Sequence, residues 1–265
     1  MKQNKYFSPG RFARLFRNDW LINQKTYLFT LAGLGIAIYA LLYFSMITTK
    51  HVGVNQYTGF IVFYLMGVGF VIGTAFPALT NPIRTSNYLL APGSTLEKYL
   101  VQFVIRIVIF IPIALLIFWI SAHLAKASLV PDLASGFDPA TKIADFHFTR
   151  LFNQIDPGQE IQMFILTLFS ISTILFAGSA FFNRFALVKT LIAAALIVGM
   201  VMLTFVLFSH IFYPDVVHGI DVHLNHYEIN EKHLNNLTFL GYIIGGLTWL
   251  FFLPLAYFKL KEKEA

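Results

Sequence analysis

Histidine and the carboxylates have the widest chemical repertoire in this sequence, and they are densest in the stretch HGIDVHLNHYEINEKH, from His218 to His233. His223 and His226 stand at i and i+3 with Asp221 nearby and His218 a little earlier. On a helix that spacing could ligate a divalent metal. The stretch lacks the His-Glu-x-x-His of helical zinc sites. A solvated loop that uses histidine as a polar interfacial residue accounts for it more simply, so no tight metal site is expected at His218, His223 and His226. A membrane metalloenzyme built on this cluster stays open as a lesser alternative. Other catalytic constellations are missing from the sequence. There is no Gly-x-Ser-x-Gly elbow and no G-x-x-x-x-G-K-[ST] phosphate loop. The absence of cysteine removes thiol nucleophiles and Cys-bound metal. The chain is not expected to be an enzyme.

The elements that carry these residues are read from composition. Of 265 residues, 57% are hydrophobic and 12% charged, with a mean hydropathy of +0.68. Soluble proteins carry roughly 25% charged residues, and a soluble fold of this size could not hide so much apolar surface. Six long apolar runs stand out, at about 26–48, 57–80, 99–125, 161–182, 187–213 and 237–258. Each is long enough for the roughly 20 residues that cross a bilayer as a helix. The 29 Phe and 12 Tyr suit lipid-facing and interfacial positions. The expectation is an all-α integral membrane protein of six transmembrane helices, forming a single transmembrane domain over residues 1–265. The first run starts too late and extends too far for a signal peptide, so loss of the N-terminus is not expected.

Charge sets the direction. With the N-terminus, the 81–98 loop, the 183–189 turn and the C-terminal tail on one side, that side takes 14 of the 19 basic residues and four of the 13 acidic ones. The positive-inside rule then puts both termini in the cytoplasm of a multi-pass protein, and a bacterial inner membrane fits. The pI near 9.4 thus reflects topology, and no nucleic-acid partner is expected. Every Asp and Glu lies outside the hydrocarbon, which disfavours proton-coupled carriage. Arg106 falls about two turns into the third run. It either snorkels back to the headgroups or makes a polar contact inside the bundle or along a substrate path. Pro77, Pro112 and Pro254 are read as kinks.

Two segments on the basic side carry further pattern. Residues 8–22, SPGRFARLFRNDWLI, read as an amphipathic elbow helix lying on the membrane, with Ser8 as N-cap and Pro9 in the first helical position. Arg11, Arg14 and Arg17 share one arc; Phe12, Phe16 and Trp20 share the other. Asp19 falls on the apolar arc and breaks the pattern. The second segment is NPIRTSNYLLAPGSTLEKYL, residues 81–100. Leu89, Leu90, Leu96 and Leu100 can make an apolar face interrupted by the Pro92-Gly93 turn, and Ser94 or Thr95 can cap the helix that follows.

In this second segment Arg84, Leu89, Leu90, Pro92, Ser94 and Glu97 follow an order similar to the cytoplasmic loop of ABC-2 type transporter permeases. The layout of elbow, six spans and inward termini resembles that family over most of the chain. The motif itself covers about 20 residues and departs from the family, because Ile83-Arg84-Thr85-Ser86-Asn87 stands where Arg-Glu-x-Gly-Thr is common. The resemblance implies a coupling helix between spans 2 and 3 that docks on an ATP-binding cassette ATPase, with Arg84 and Glu97 at the rim of the contact. It further implies a dimer with a second permease copy or a paralogue. ATP and magnesium would be held by the partner, with no cofactor in this chain. The function implied is that of a permease subunit of an ATP-driven exporter for a lipid-linked, amphipathic or peptide cargo. A non-transport membrane scaffold or assembly subunit of a larger complex is the rival reading.

Overall fold

The computed structural model describes residues 7–49, 54–80, 88, 92–134, 146, 157–182, 185–212, 226–229 and 232–264. It is helical throughout except for one short hairpin. The helices are α1 (Pro9–Thr49), α2 (Val54–Ile72), α3 (Thr95–Phe103), α4 (Phe110–Ala134), α5 (Pro157–Phe181), α6 (Ala186–Phe212) and α7 (Asn236–Glu264). A short 3-10 turn, Pro77–Thr80, follows α2. Strands β1 (His226–Ile229) and β2 (Lys232–Asn235) pair antiparallel ahead of α7. Each apolar run of the sequence falls on one or more of these helices. Among the described residues, three helical stretches are long and apolar enough to cross a membrane: Pro9–Thr48, Thr95–Leu129 and Phe164–Phe181. The protein is therefore a membrane protein by the length and composition of its helices.

The segment read as a separate elbow is the beginning of α1, a continuous helix of 41 residues. Ser8 and Pro9 do start it, and the Phe12 amide donates to the Ser8 carbonyl at 3.0 Å. No break follows, because Ile22-Asn23-Gln24-Lys25-Thr26 contains neither glycine nor proline to stop a helix. At about 1.5 Å per residue, α1 is roughly 61 Å long.

The core is aromatic. Tyr57, Phe146 and Phe118 meet ring to ring, as do Phe76, Phe176 and Tyr99, all of them buried. Offset and edge contacts of this kind add to plain burial. Polar side chains join the helices at single points: Tyr64 Oη donates to the Ala114 carbonyl (2.9 Å) and Tyr99 Oη to that of Leu253 (3.0 Å). Helices in lipid need such contacts, because hydrocarbon is as apolar as leucine and gives no hydrophobic drive to associate. Close approach does the rest. A Cβ on Gly178 of α5 would lie 2.6 Å from Thr190 Cβ of α6, so only glycine lets these two helices touch there.

The three prolines read as kinks have different settings. Pro254 lies inside α7, and Pro77 opens the 3-10 turn that follows α2. Pro112 has a more specific effect. Immediately before it, over Val104–Ile109, the helix widens to a π-turn, and the Phe110 amide donates to the Ile105 carbonyl. Proline removes an amide donor and its ring crowds the carbonyl four residues back. Loosening the preceding turn relieves that crowding without ending the helix.

Candidate functional site

The most elaborate polar arrangement among the described residues lies where the first half of α1 crosses α3 and the π-turn. It has two parts. The first is a joint built on Glu97. Ser94 and Glu97 form a reciprocal capping box at the start of α3: the Glu97 amide donates to Ser94 Oγ (3.2 Å) and the Ser94 amide to Glu97 Oε2 (2.9 Å). The other carboxylate oxygen is used across the chain. Glu97 Oε1 accepts from the Ser8 amide at 2.6 Å and from Arg11 Nε at 3.2 Å, and Arg11 Nη2 lies 3.1 Å away. One side chain thus caps two helices, and it is fully buried at 0% exposure. The Pro92-Gly93 turn presses against α1, where a Cβ at position 93 would lie 2.6 Å from Leu15 Cδ1.

The second part lies one to three turns further along. Asp19 Oδ1 accepts from Gln102 Nε2 (2.9 Å) and Asn23 Nδ2 (3.2 Å), while Asp19 Oδ2 accepts from Tyr27 Oη (2.8 Å). The Arg106 guanidinium sits over the Tyr27 ring, 4.9 Å from its centroid, and Nη1 donates to the Val71 carbonyl of α2 at 3.2 Å. A cation on a ring face is held by the ring quadrupole, the more so where water is excluded. Gln102 and Arg106 are 4% and 6% exposed. Among the described residues, two of their atoms, Gln102 Oε1 and Arg106 Nε, have no hydrogen-bond partner. The π-turn holds Arg106 itself, so this buried cation lies on irregular backbone.

Chemically this is a fastener. It contains a carboxylate on Asp19, a guanidinium on Arg106, a phenol between them and an amide alongside, with no nucleophile and no paired acids. Around it Val101 and Ile105 pack with Tyr27, flanked by Phe12, Leu15, Phe16 and Trp20.

These positions revise several expectations. Arg106 makes polar contacts with the Tyr27 ring and the Val71 carbonyl. The aromatic arc of Phe12, Phe16 and Trp20 is half-buried and packs against Tyr27, Val101 and Ile105, because α3 and the π-turn offer an apolar face alongside. Arg14 and Arg17 are exposed as expected, whereas Arg11 is turned inward to Glu97. Glu97 is no rim residue, since both its oxygens are occupied and buried. Ser94 caps α3 as read, and Pro92 is exposed. Arg84, Leu89 and Leu90 lie outside the described residues, as do His218 and His223. His226 is the first residue of β1. Among the described residues no group of three His, Cys, Asp or Glu could hold a metal ion.

Sequence reading missed Asp19, Tyr27 and Gln102 as members of one cluster. The signal was present as the acidic residue on the apolar arc of α1. At 100° per residue, Asn23 and Tyr27 continue that arc, and Gln102 and Arg106 stand at i and i+4. At the far end of α7, Lys263 Nζ donates to the Ala180 carbonyl in the last turn of α5 (2.7 Å), a cation at a helix C-terminus. Burial and the neighbouring Lys259 lower the Lys263 pKa, against Glu262. Compared with known proteins, the chain matches no family model, no curated relative and no solved structure.

Proposed function

We propose that the chain is the membrane permease subunit of an ATP-driven exporter of the ABC-2 type. It has six spans and both termini in the cytoplasm, pairs with a second permease, and is worked by a separate ATPase that binds residues 84–97. The observation that carries this reading is the joint at Glu97. A loop that receives force from a partner must be fastened to the helices it moves, and the end of this loop is tied to α1 through Ser94, Glu97, Arg11 and the Ser8 amide. A passive tether has no use for a fully buried carboxylate shared between two helix starts. From the joint, α3 runs into the π-turn, where Arg106 reaches α2. Displacement of the loop would therefore reach three helices as a rigid body. The cargo is lipid-linked, amphipathic or peptidic, because few polar side chains line the apolar helices.

The test is truncation of Leu89 and Leu90, the apolar side of the loop. Burying one leucine contributes about 1.5–3 kcal/mol, and 1.4 kcal/mol is a factor of about ten in affinity. Leu89→Ala/Leu90→Ala should insert normally, lose the ATPase on co-purification by more than tenfold, and stop export. A double mutant with its full complement of partner and normal ATP-dependent export would put the scaffold reading ahead.

A further inference from the structure

With its aromatic arc turned onto the protein, α1 presents the opposite arc outward. That arc carries Arg14, Arg17 and Lys25, all exposed, in one stripe with Leu21, Ile22 and Phe29, which are 53%, 70% and 76% exposed. Arg14 Nε reaches back to the Gly10 carbonyl at 3.2 Å, and among the described residues Arg17 and Lys25 form no ion pair. The helix commits Arg11 to an internal joint and leaves three cations facing out, interleaved with large apolar side chains.

Depth follows from helix geometry. Residues 26–49 of α1 carry no charge and span about 36 Å at about 1.5 Å per residue, enough for the roughly 30 Å hydrocarbon core. Lys25 then sits at the hydrocarbon boundary. Leu21 and Ile22 lie within the headgroup layer of roughly 5–8 Å. Arg17 and Arg14 follow at about 12 and 16 Å from Lys25, outside that layer, in a surface potential that decays over about 8 Å. An occupant has to offer negative charge to Lys25, Arg17 and Arg14 and hydrocarbon to Phe29 on the other side of Lys25. A zwitterionic lipid has the hydrocarbon without net charge, and a soluble acidic partner has the charge without the hydrocarbon. An anionic phospholipid has both.

We infer that the outward stripe of Arg14, Arg17 and Lys25 on α1 is a binding surface for anionic phospholipid headgroups. The inference rests on α1 crossing a bilayer and is independent of any ATPase.

The chain has no cysteine, so a single reporter can be placed on the stripe. Full-length protein with Leu21→Cys, labelled with bimane, is reconstituted into phosphatidylcholine vesicles. These contain brominated phosphatidylglycerol or brominated phosphatidylcholine at equal mole fraction. The phosphatidylglycerol should quench more strongly, and high salt should reduce the difference. Each basic residue near the surface is worth about 1 kcal/mol, or about fivefold. Arg14→Gln/Arg17→Gln/Lys25→Gln should therefore abolish the preference, while Arg14→Lys/Arg17→Lys keeps it. Equal quenching by the two lipids in the parent, or an unchanged preference in the triple variant, would overturn the anionic site and leave α1 in the bilayer. No quenching by either lipid would overturn the crossing itself.

Discussion

The seam between α1 and α3 and the long helix α6 are both rich in apolar residues, yet they are held in opposite ways. At the seam, Glu97, Gln102 and Arg106 are buried and tied to named partners. On α6, large apolar side chains such as Leu191, Leu196, Val198, Met200 and Leu203 are exposed, and among its described side chains the buried one is that of Thr190, against Gly178. In a membrane, lipid competes with protein for every leucine on equal terms. Helices are fixed by their polar contacts and by their closest approaches, and the seam has many of the first where the described part of α6 has two of the second, Thr190 at Gly178 and Leu187 at Gly73.

The sharpest way to break this contrast is Asp19→Ala. It leaves Gln102 Nε2 and Tyr27 Oη without their acceptor, at about 1–3 kcal/mol each, and removes the carboxylate nearest Arg106. Thermal unfolding in detergent should show a larger loss for this change than for any single substitution on α6. Asp19→Asn, which keeps one acceptor oxygen, should lose less. Gly178→Ala comes next. The new methyl collides with the whole Thr190 side chain, so α6 must shift at about 1–3 kcal/mol. Thr190→Ala in the same background should recover part of the loss, measured as a double-mutant cycle.

How much of this contrast is legible in the sequence depends on what each part rests on. The helices are, because long apolar runs declare themselves without reference to neighbours; Ser8, Pro9 and Ser94 mark two helix starts correctly for the same local reason. The partnership of Asp19 with Gln102 is not, because it joins residues 83 apart in sequence. An acidic residue on an apolar arc says that a partner exists without saying where. Arg106 is legible as an anomaly, but its contacts with the Tyr27 ring and the Val71 carbonyl are not, because both partners come from other helices. Nor is the packing of the aromatic arc on Val101 and Ile105 legible, since a hydrophobic face fits lipid and protein alike.

Smaller effects complete the comparison. Ser94→Ala removes one half of the capping box and should cost about 1 kcal/mol of thermal stability, while the bonds from Ser8 and Arg11 to Glu97 keep the joint closed. Leu196→Ala on the outward side of α6 should change stability by no more than about 0.5 kcal/mol, read in the same melting assay. A loss of about 2 kcal/mol there, the size expected for a leucine truncated in a packed core, would mean that α6 is covered by another chain.

The π-turn before Pro112 changes how the segment responds to a change of length. A turn closed by i→i+5 bonds holds one residue more than the helix around it needs. Deleting a single aliphatic residue from Val104–Ile109 would let the backbone close as ordinary α-helix while the helix on either side keeps its facing. The same deletion inside the regular helix Phe110–Ala134 would instead rotate everything beyond it by about 100°. Homologues of this chain should therefore tolerate the loss of one residue within the turn better than the loss of one in the regular helix that follows.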